Sequence, residues 1–238
     1  MDSARAVVFQ KYARELMVST KMGGADMSSN FRLRTAFEKA KAAGLPADNI
    51  KRAIEKGAGL SNSDNYEEIT YEGYAAGGVA VFLEVMTDNR NRSAGDIRSY
   101  FSKYNGNLGE TGCVGWMFKP VGVVYFDKAT DFEKLFDAAV ELGADDIQEV
   151  GEDAEEGQEY KVITSVPNFQ TVVEGLEKAG FVSTSAELTR LPENSVEVTD
   201  EKIASQILKL LEKIEEHDDV QNVYSNFDIS DDILQKLE

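Results

Sequence analysis

The sequence is poor in the residues that build metal centres and nucleophilic active sites. It has one cysteine, Cys113, and one histidine, His217, among 238 residues. A lone cysteine cannot form an internal disulfide, and this pair cannot supply an ordinary zinc site. A cysteine nucleophile would also need a nearby base, whereas His217 lies far along the chain in an acidic helix end. Cys113 is therefore interpreted as a structural thiol, and no metal or other cofactor is predicted.

Long apolar runs are also missing. No run approaches the roughly eighteen residues that a membrane-spanning helix needs, so no membrane association is predicted. Met1 leads directly into an amphipathic, charged stretch, which is not typical of a signal peptide. The expected location is therefore the cytoplasm.

Motifs for catalysis are incomplete. Gly73, Gly77 and Gly78 lack the Lys-Ser/Thr pair of a phosphate-binding loop. The acidic run 145–159 lacks the alternating ligands and central glycine of an EF-hand. No carboxylate pair stands in a setting that would separate two pKa values. The sequence predicts neither an enzyme nor a small-molecule substrate.

Basic residues are scarce overall but unevenly distributed. The net charge is −18, which usually argues against a nucleic-acid partner. Residues 1–60, however, carry eleven lysines and arginines against six acidic residues, so the remaining chain sums to −23. This segregation predicts a basic head for binding and an acidic body, most of whose carboxylates serve solubility.

Helical periodicity dominates the basic head. Helices are predicted over 3–18, over 31–43 with Asn30 as N-cap, and over 48–56, followed by a linker at 58–65. The second and third helices also satisfy the loose description of a helix-turn-helix, but any short helical hairpin would do so.

Strands alternate with helices after the linker. The block 121–190 reads as βαββαβ, and the segments 79–119 and 195–227 together read as a second unit of this kind, with another strand at 66–71. The predicted fold is α+β in three domains: a helical domain at 1–63, an outer α/β domain at 64–119 and 194–238, and an acidic α/β domain at 120–193 inserted into it. Both α/β domains are expected to be ferredoxin-like.

The segment 88–118, DNRNRSAGDIRSYFSKYNGNLGETGCVGWMF, is the most informative part of the chain. Ser93 and Asp96 have the spacing of a capping box, which predicts a helix that begins at Ala94. Arg90 and Arg92 would then flank a helix N-terminus, where backbone N–H groups favour phosphate. Trp116 and Phe118 would share a strand face in the core.

This segment, together with YEEITYEGY, DDVQNVYSN and the N-terminal FQKYARELMVSTKMGG, resembles the YebC/PmpR family of bacterial regulators and mitochondrial translational activators. The resemblance covers essentially the whole chain. It implies the same three-domain arrangement and a regulator that binds DNA or assists translation on the ribosome. Family members usually begin with a basic arm that contains a tryptophan, whereas Met1 here lies almost within the first helix.

We therefore expect a non-enzymatic regulator of gene expression that binds nucleic acid, most simply DNA, with ribosomal RNA and the ribosome as the alternative partners. The expected contact residues, some of which will only be solvated surface cations, are Lys11, Arg14, Arg32, Arg34, Lys39, Arg52, Lys56, Asn89, Arg90, Arg92, Arg98 and Lys103. A protein-docking module is the second alternative, because the acidic insert could contact a basic partner.

Overall fold

A computed structural model describes residues 2–59, 66–150 and 157–237. A helical N-terminal region precedes sheets of antiparallel strands, which confirms the predicted α+β class. The chain forms two compact units, Met1–Phe118 with Pro192–Glu238, and Lys119–Leu191. The three-domain division stays a prediction. Most of the predicted linker at 58–65, and residues 151–156 of the acidic run, lie outside the described residues.

In chain order the helices and strands are α1 (Asp2–Gly23), α2 (Phe31–Ala42), α3 (Ala47–Gly59), β1 (Glu67–Tyr74), β2 (Ala80–Thr87), α4 (Arg90–Lys103), β3 (Asn107–Leu108), β4 (Phe118–Phe126), α5 (Phe132–Glu141), β5 (Asp146–Glu149), β6 (Tyr160–Thr164), α6 (Phe169–Lys178), β7 (Ser185–Pro192), β8 (Val196–Val198), α7 (Glu201–Glu215), β9 (Val220–Ser225), β10 (Phe227–Ile229) and α8 (Asp231–Leu237).

Helices α1, α2 and α3 pack around their own apolar core, which includes Leu16 and Leu33. Asn30 caps α2 as predicted, since its side chain accepts a hydrogen bond from the Leu33 N–H at 3.0 Å. Gly57 lets α3 approach α1 closely, because a Cβ atom there would lie 2.4 Å from the Met17 carbonyl oxygen. The helical region therefore has a hydrophobic core and close backbone packing of its own.

The sheet of the first unit has the strand order β3-β1-β2-β9. Helices α4 and α7 cover one face of it and bury Ile97, Phe101, Ile207 and Leu210 against the strands. Strands β8 and β10 form a separate parallel pair. The predicted strand at 114–119 is wrong: a 3₁₀ turn occupies Gly115–Met117, and β4 begins at Phe118 and belongs to the other sheet.

The second unit has the strand order β5-β6-β4-β7. Together with α5 and α6 between the strands, this is the order of a ferredoxin-like βαββαβ module. Leu135, Phe169, Val172 and Leu176 are buried on the helices of this unit. Phe136, which lies on the predicted apolar face of α5, is 47% exposed.

Candidate nucleic-acid interface

Helix α4 begins one turn earlier than the capping box predicts. Asn89 is the N-cap, and its side chain accepts a hydrogen bond from the Arg92 N–H at 3.1 Å. Asparagine caps helices as well as serine does, so the sequence contained two competing signals and the earlier one determines the start. Arg90 and Arg92 consequently lie in the first turn of the helix rather than in a loop before it.

Ser93 is not a cap but part of a buried polar cluster around Asp219. The Asp219 carboxylate, on the turn between α7 and β9, accepts hydrogen bonds from Ser93 Oγ at 2.7 Å and Thr87 Oγ1 at 2.9 Å. It also pairs with Arg92 Nη2 at 2.9 Å and Arg14 Nη1 at 3.2 Å. We call these five residues the Asp219 cluster. It joins α1, β2, α4 and the α7–β9 turn.

Electrostatics within the Asp219 cluster favour the charged form of its carboxylate. Burial by itself raises the pKa of Asp219, but the hydrogen bonds from Arg92, Ser93 and Thr87 and the charge of Arg14 outweigh it and lower that pKa. The pKa of Arg92 is raised in turn, first by its hydrogen bond to Asp219 and then by that to Asp88. Both arginines therefore act as counter-ions of this carboxylate, Arg14 from a largely buried position and Arg92 from the surface.

Arg14 is largely enclosed by the protein. Its side chain is 12% exposed, and Nη1 also donates to the carbonyl oxygens of Asp218 at 2.6 Å and Met86 at 3.1 Å. The guanidinium lies 5.0 Å from the ring centroid of Tyr66. Arg14 thus fixes α1 to the α/β part of the first unit.

Lys11 and Arg32 also have internal partners. Lys11 Nζ donates to the Glu215 carbonyl oxygen at 2.5 Å, and burial lowers the pKa of Lys11. Arg32 forms a two-pronged ion pair with Glu15, at 2.7 and 3.0 Å, and a further pair with Glu68. These hydrogen bonds raise the pKa of Arg32, foremost the one to Glu15. Lys11 therefore connects α1 to the end of α7, and Arg32 connects α2 to α1 and to β1.

Arg90 and Arg98 also have exposed side chains, but they differ from these residues in their partners. Within the described parts of the chain, no hydrogen bond or ion pair engages either guanidinium group. The Tyr71 hydroxyl donates to the Arg90 carbonyl oxygen at 3.2 Å. Burial raises the pKa of Tyr71, and the charges of Arg90 and Arg98 oppose that rise, so both cations lie close to this phenol.

Other exposed features extend this part of α4. Lys103 is exposed, with its ammonium 5.3 Å from the ring centroid of Tyr104. Gly95 is exposed within the helix, and a Cβ atom there would have no neighbour within 4 Å. We define the α4 surface as Arg90, Gly95, Arg98 and Lys103. It combines three exposed cations of α4 with an exposed glycine of the same helix.

The remaining predicted cations lie on α2 and α3. Arg34 stacks over Phe31 at 5.3 Å, Lys39 is half-buried, and Arg52 and Lys56 are exposed. None of these four residues belongs to an element that contributes to the Asp219 cluster. The predicted contact residues therefore fall into three groups: cations bonded to other parts of the protein, the α4 surface, and the cations of α2 and α3. Their role in binding stays a prediction.

The sequence analysis missed two residues with clear roles and misplaced a third. Asp219 could not be singled out among many carboxylates, and its four hydrogen-bonding partners are far away in sequence. Glu72 is buried and accepts three backbone N–H bonds from the 112–115 loop. Trp116 was expected in the core but is 65% exposed, because the segment 115–117 is a turn and not a strand.

Among the described residues, no helix has the length and apolarity to cross a membrane, and no group of three or more His, Cys, Asp or Glu side chains is placed to hold a metal ion. Exposed guanidinium groups near a helix N-terminus, as on the α4 surface, have the chemistry that suits an anionic ligand.

Comparisons with known proteins identify the family of the chain. Residues 1–60 match the model of the TACO1/YebC protein N-terminal domain, and residues 66–227 match that of the TACO1/YebC second and third domain. A probable transcriptional regulatory protein of Geobacter sulfurreducens is 52% identical over 99% of this chain and 93% of its own length. One of Gloeothece citriformis is 48% identical over 98% and 92%.

A crystal structure with similar architecture is that of a conserved hypothetical protein from Aquifex aeolicus. It superimposes with a TM-score of 0.84 at 43% sequence identity, covering 97% of this chain and 93% of that one. The resemblance found in the sequence is thereby confirmed, and the chain belongs to the TACO1/YebC family of regulatory proteins.

Proposed function

We propose that this protein is a cytoplasmic, non-enzymatic regulator that binds nucleic acid, DNA in the first place, and that the α4 surface makes the phosphate contacts. The observation that carries the proposal is the contrast among the predicted arginines. Arg14, Arg32 and Arg92 are bound to carboxylates, whereas Arg90 and Arg98 present unpaired guanidinium groups to solvent within the described chain.

The position of Arg90 supports an anionic ligand. A helix N-terminus carries partial positive charge, so a cation in the first turn is unfavourable unless an anion lies nearby. Asp88 and Asp219 supply that anion for Arg92. A bound phosphate would be the nearby anion for Arg90. It would also accept hydrogen bonds from the N–H groups of the first turn that Asn89 does not cap.

Gly95 gives independent support. Glycine in a helix interior costs about 1 kcal/mol relative to alanine, and the packing around Gly95 offers no reason for it. Close approach of a backbone, such as a sugar-phosphate chain, would explain a missing side chain one turn before Arg98.

DNA is favoured by the relatives, which are named probable transcriptional regulatory proteins. The modest number of exposed cations on an acidic protein indicates a small contact area, since specific DNA interfaces are strongly positive. A ribosomal RNA ligand is the competing possibility, and the same experiment separates the two.

The test compares the double variant Arg90→Ala/Arg98→Ala with a matched control, Lys128→Ala/Lys178→Ala, which removes two exposed charges from the second unit. Each protein is titrated against fluorescent duplex DNA and a ribosomal RNA fragment across salt concentrations. We expect the first variant to lower the slope of log K against log salt by about two, and the control to leave it unchanged.

Equal slopes for the variant, the control and the wild type would refute the proposal. Tighter binding to duplex DNA than to the RNA fragment supports a transcriptional role, and the reverse order supports a role on the ribosome. Arg92 is left intact in this design because its substitution would also disturb the Asp219 cluster.

A further inference from the structure

Helix α5 of the second unit has apolar side chains on a flank that its own unit leaves open. Leu135 and Ala139 are fully buried and mark the inner face of this helix. Phe136 and Val140 form the next row, one turn apart, and are 47% and 55% exposed. The helix therefore has a buried apolar row and, beside it, a second apolar row that lies in water.

Phe136 is held in place although almost half of it is exposed. Its ring centroid lies 6.3 Å from that of Phe132, one turn earlier in the same row. The Phe132 ring lies in turn 5.1 Å from that of Tyr160 in β6. These ring contacts connect Phe136 to the folded unit, so its exposed part is a preorganised apolar contact.

A row of carboxylates runs beside this apolar row. Glu133, Asp137 and Glu141 follow one another at intervals of one helical turn, each directly after a residue of the apolar row. All three side chains are exposed, and none forms an ion pair or a side-chain hydrogen bond with another residue that the structure describes. Lys134, the one lysine of α5, is paired with the N-cap residue Asp131 at 2.9 Å.

The second half of the acidic row is electrostatically unfavourable in the free protein. Asp137 and Glu141 are like charges one turn apart, and such pairs destabilise a helix. Glu141 also lies in the last turn of α5, where the helix dipole favours a cation and no basic residue is present. Glu133 differs, because a carboxylate in the first turn is favoured by the same dipole. A cation beside Asp137 and Glu141 would relieve both unfavourable effects.

These two rows determine the chemistry of a ligand. An apolar row flanked by charges is the pattern by which one helix selects another of complementary charge. Apolar residues one turn apart match the anchors of an amphipathic helix that binds side by side. The carboxylates repel nucleic acid and anionic lipid, and they attract lysine and arginine.

We propose that Phe136, Asp137, Val140 and Glu141, which we call the α5 flank, dock a basic amphipathic helix of a protein partner. Apolar side chains of that helix pack on Phe136 and Val140, and its lysines or arginines pair with the two carboxylates. The contact is small, which is typical of a transient interaction. The inference goes beyond the proposed nucleic-acid function, because the α4 surface belongs to the first unit and takes a ligand of opposite charge.

The probe is a fluorescent, amidated peptide of sequence KLAKLAKKLAKLAK, which forms a helix with a leucine face and a lysine face. The control peptide has acetyl-lysine in place of lysine, which keeps the apolar face and removes the charge. Fluorescence anisotropy should show saturable binding of the lysine peptide to the full-length protein, and binding of the control should be about tenfold weaker. Amide NMR shifts should change along α5 and not along α4.

Variants tie the binding to the α5 flank. Phe136→Ala should weaken binding of the lysine peptide about five- to tenfold, because it removes the larger apolar contact. Val140→Thr keeps the shape of the side chain and adds a hydroxyl, and should weaken binding about two- to threefold. Asp137→Asn/Glu141→Gln should weaken it about three- to tenfold at low salt and less at high salt.

The matched control is Glu159→Gln/Glu177→Gln, which neutralises two exposed carboxylates of the second unit outside α5. Its affinity for the lysine peptide should stay within about twofold of the wild-type value, since distant surface charges are screened. Circular dichroism should be unchanged in every variant, because all the substituted side chains are exposed. Val140→Thr keeps the test valid if Phe136→Ala loosens the contact with Phe132.

Equal affinities for the two peptides, no binding of the lysine peptide, or full affinity in both Phe136→Ala and Val140→Thr would overturn the inference. It would also be overturned if phosphatidylserine vesicles or duplex DNA bound the protein and Phe136→Ala weakened that binding, since the ligand of the α5 flank would then be anionic. Loss of nucleic-acid binding in Arg90→Ala/Arg98→Ala has no bearing on this result, so the two hypotheses fail independently.

Discussion

Removal of the Asp219 carboxylate should strongly destabilise the first unit. Its side chain is 2% exposed, and that of its partner Arg14 is 12% exposed, so Asp219→Ala would leave a nearly buried guanidinium without its counter-ion. Breaking a buried pair in this way typically costs about 3–5 kcal/mol. We expect the lower part of that range, because Arg14 keeps its bonds to the carbonyl oxygens of Met86 and Asp218.

The matched comparison is Arg92→Ala, which removes a different partner of the same carboxylate. The Arg92 side chain is 47% exposed, and solvent screens its pairs with Asp219 and Asp88. Exposed pairs of this kind contribute about 0–1 kcal/mol. The two variants should therefore differ by roughly 2 kcal/mol or more, although each removes one member of the Asp219–Arg92 pair.

Urea unfolding monitored by the emission of Trp116 measures this difference, because Trp116 and Asp219 belong to the same compact unit. If Asp219→Ala unfolds within about 1 kcal/mol of the wild type, or if Arg92→Ala costs as much as Asp219→Ala, the Asp219 cluster is not the electrostatic connection described above. A double-variant cycle with Arg14→Ala would then show no coupling between Arg14 and Asp219.

The same carboxylate predicts the direction of the pH dependence. The folded-state pKa of Asp219 is lowered, so the unfolded chain binds its proton more readily. The contribution of Asp219 is therefore fully present above the ordinary aspartate pKa, near 4, and is lost as the pH falls through the lower folded-state value. Wild-type stability should decrease with acidification over this range, and the decrease should be smaller in Asp219→Ala.

Four further substitutions test the packing. Gly95→Ala should raise the free energy of unfolding by about 0.5–1 kcal/mol, because alanine favours a helix and the added Cβ atom has no neighbour. Gly57→Ala should lower the free energy of unfolding, because its Cβ atom would meet the carbonyl oxygen of Met17. Urea titrations measure both changes. Asn30→Ala should cost about 1–2 kcal/mol in a thermal melt, since it removes the α2 cap and the bonds that the Asn30 amide donates to the carbonyl oxygens of Ser19 and Gly24. Glu72→Gln should lower stability by about 1–3 kcal/mol and increase acrylamide quenching of Trp116, because Glu72 holds the 112–115 loop through three backbone N–H bonds; unchanged quenching would contradict this role of Glu72.

Several elements of the fold could be predicted because their signals are local. The Asn30 cap, the apolar faces of α4, α6 and α7, and the alternation of strands and helices depend on residues within a few positions of one another. Family resemblance carried the prediction further, since it covers the whole chain. Two local signals competed at the start of α4, and there the capping box at Ser93 gave the wrong boundary.

The candidate site was harder to predict, because the type of a charged residue does not reveal its partner. Arg90 and Arg92 are two positions apart and have the same chemistry, yet Arg92 is paired with Asp219 and Arg90 faces solvent. Trp116 shows the same limit for apolar residues: a hydrophobic side chain next to a strand is usually buried, and only the turn fixed by Glu72 exposes it.

The sequence by itself determined the α+β class, the family and the segregation of positive charge toward the N-terminal region. These properties follow from composition and from short-range patterns, which do not depend on the folded structure. Only the tertiary structure decided which cations remain available. Asp219 reaches Arg14 and Arg92 from more than a hundred residues away, and the pairing of charges over such distances depends on the packing of α1, α4 and β9 around one buried carboxylate.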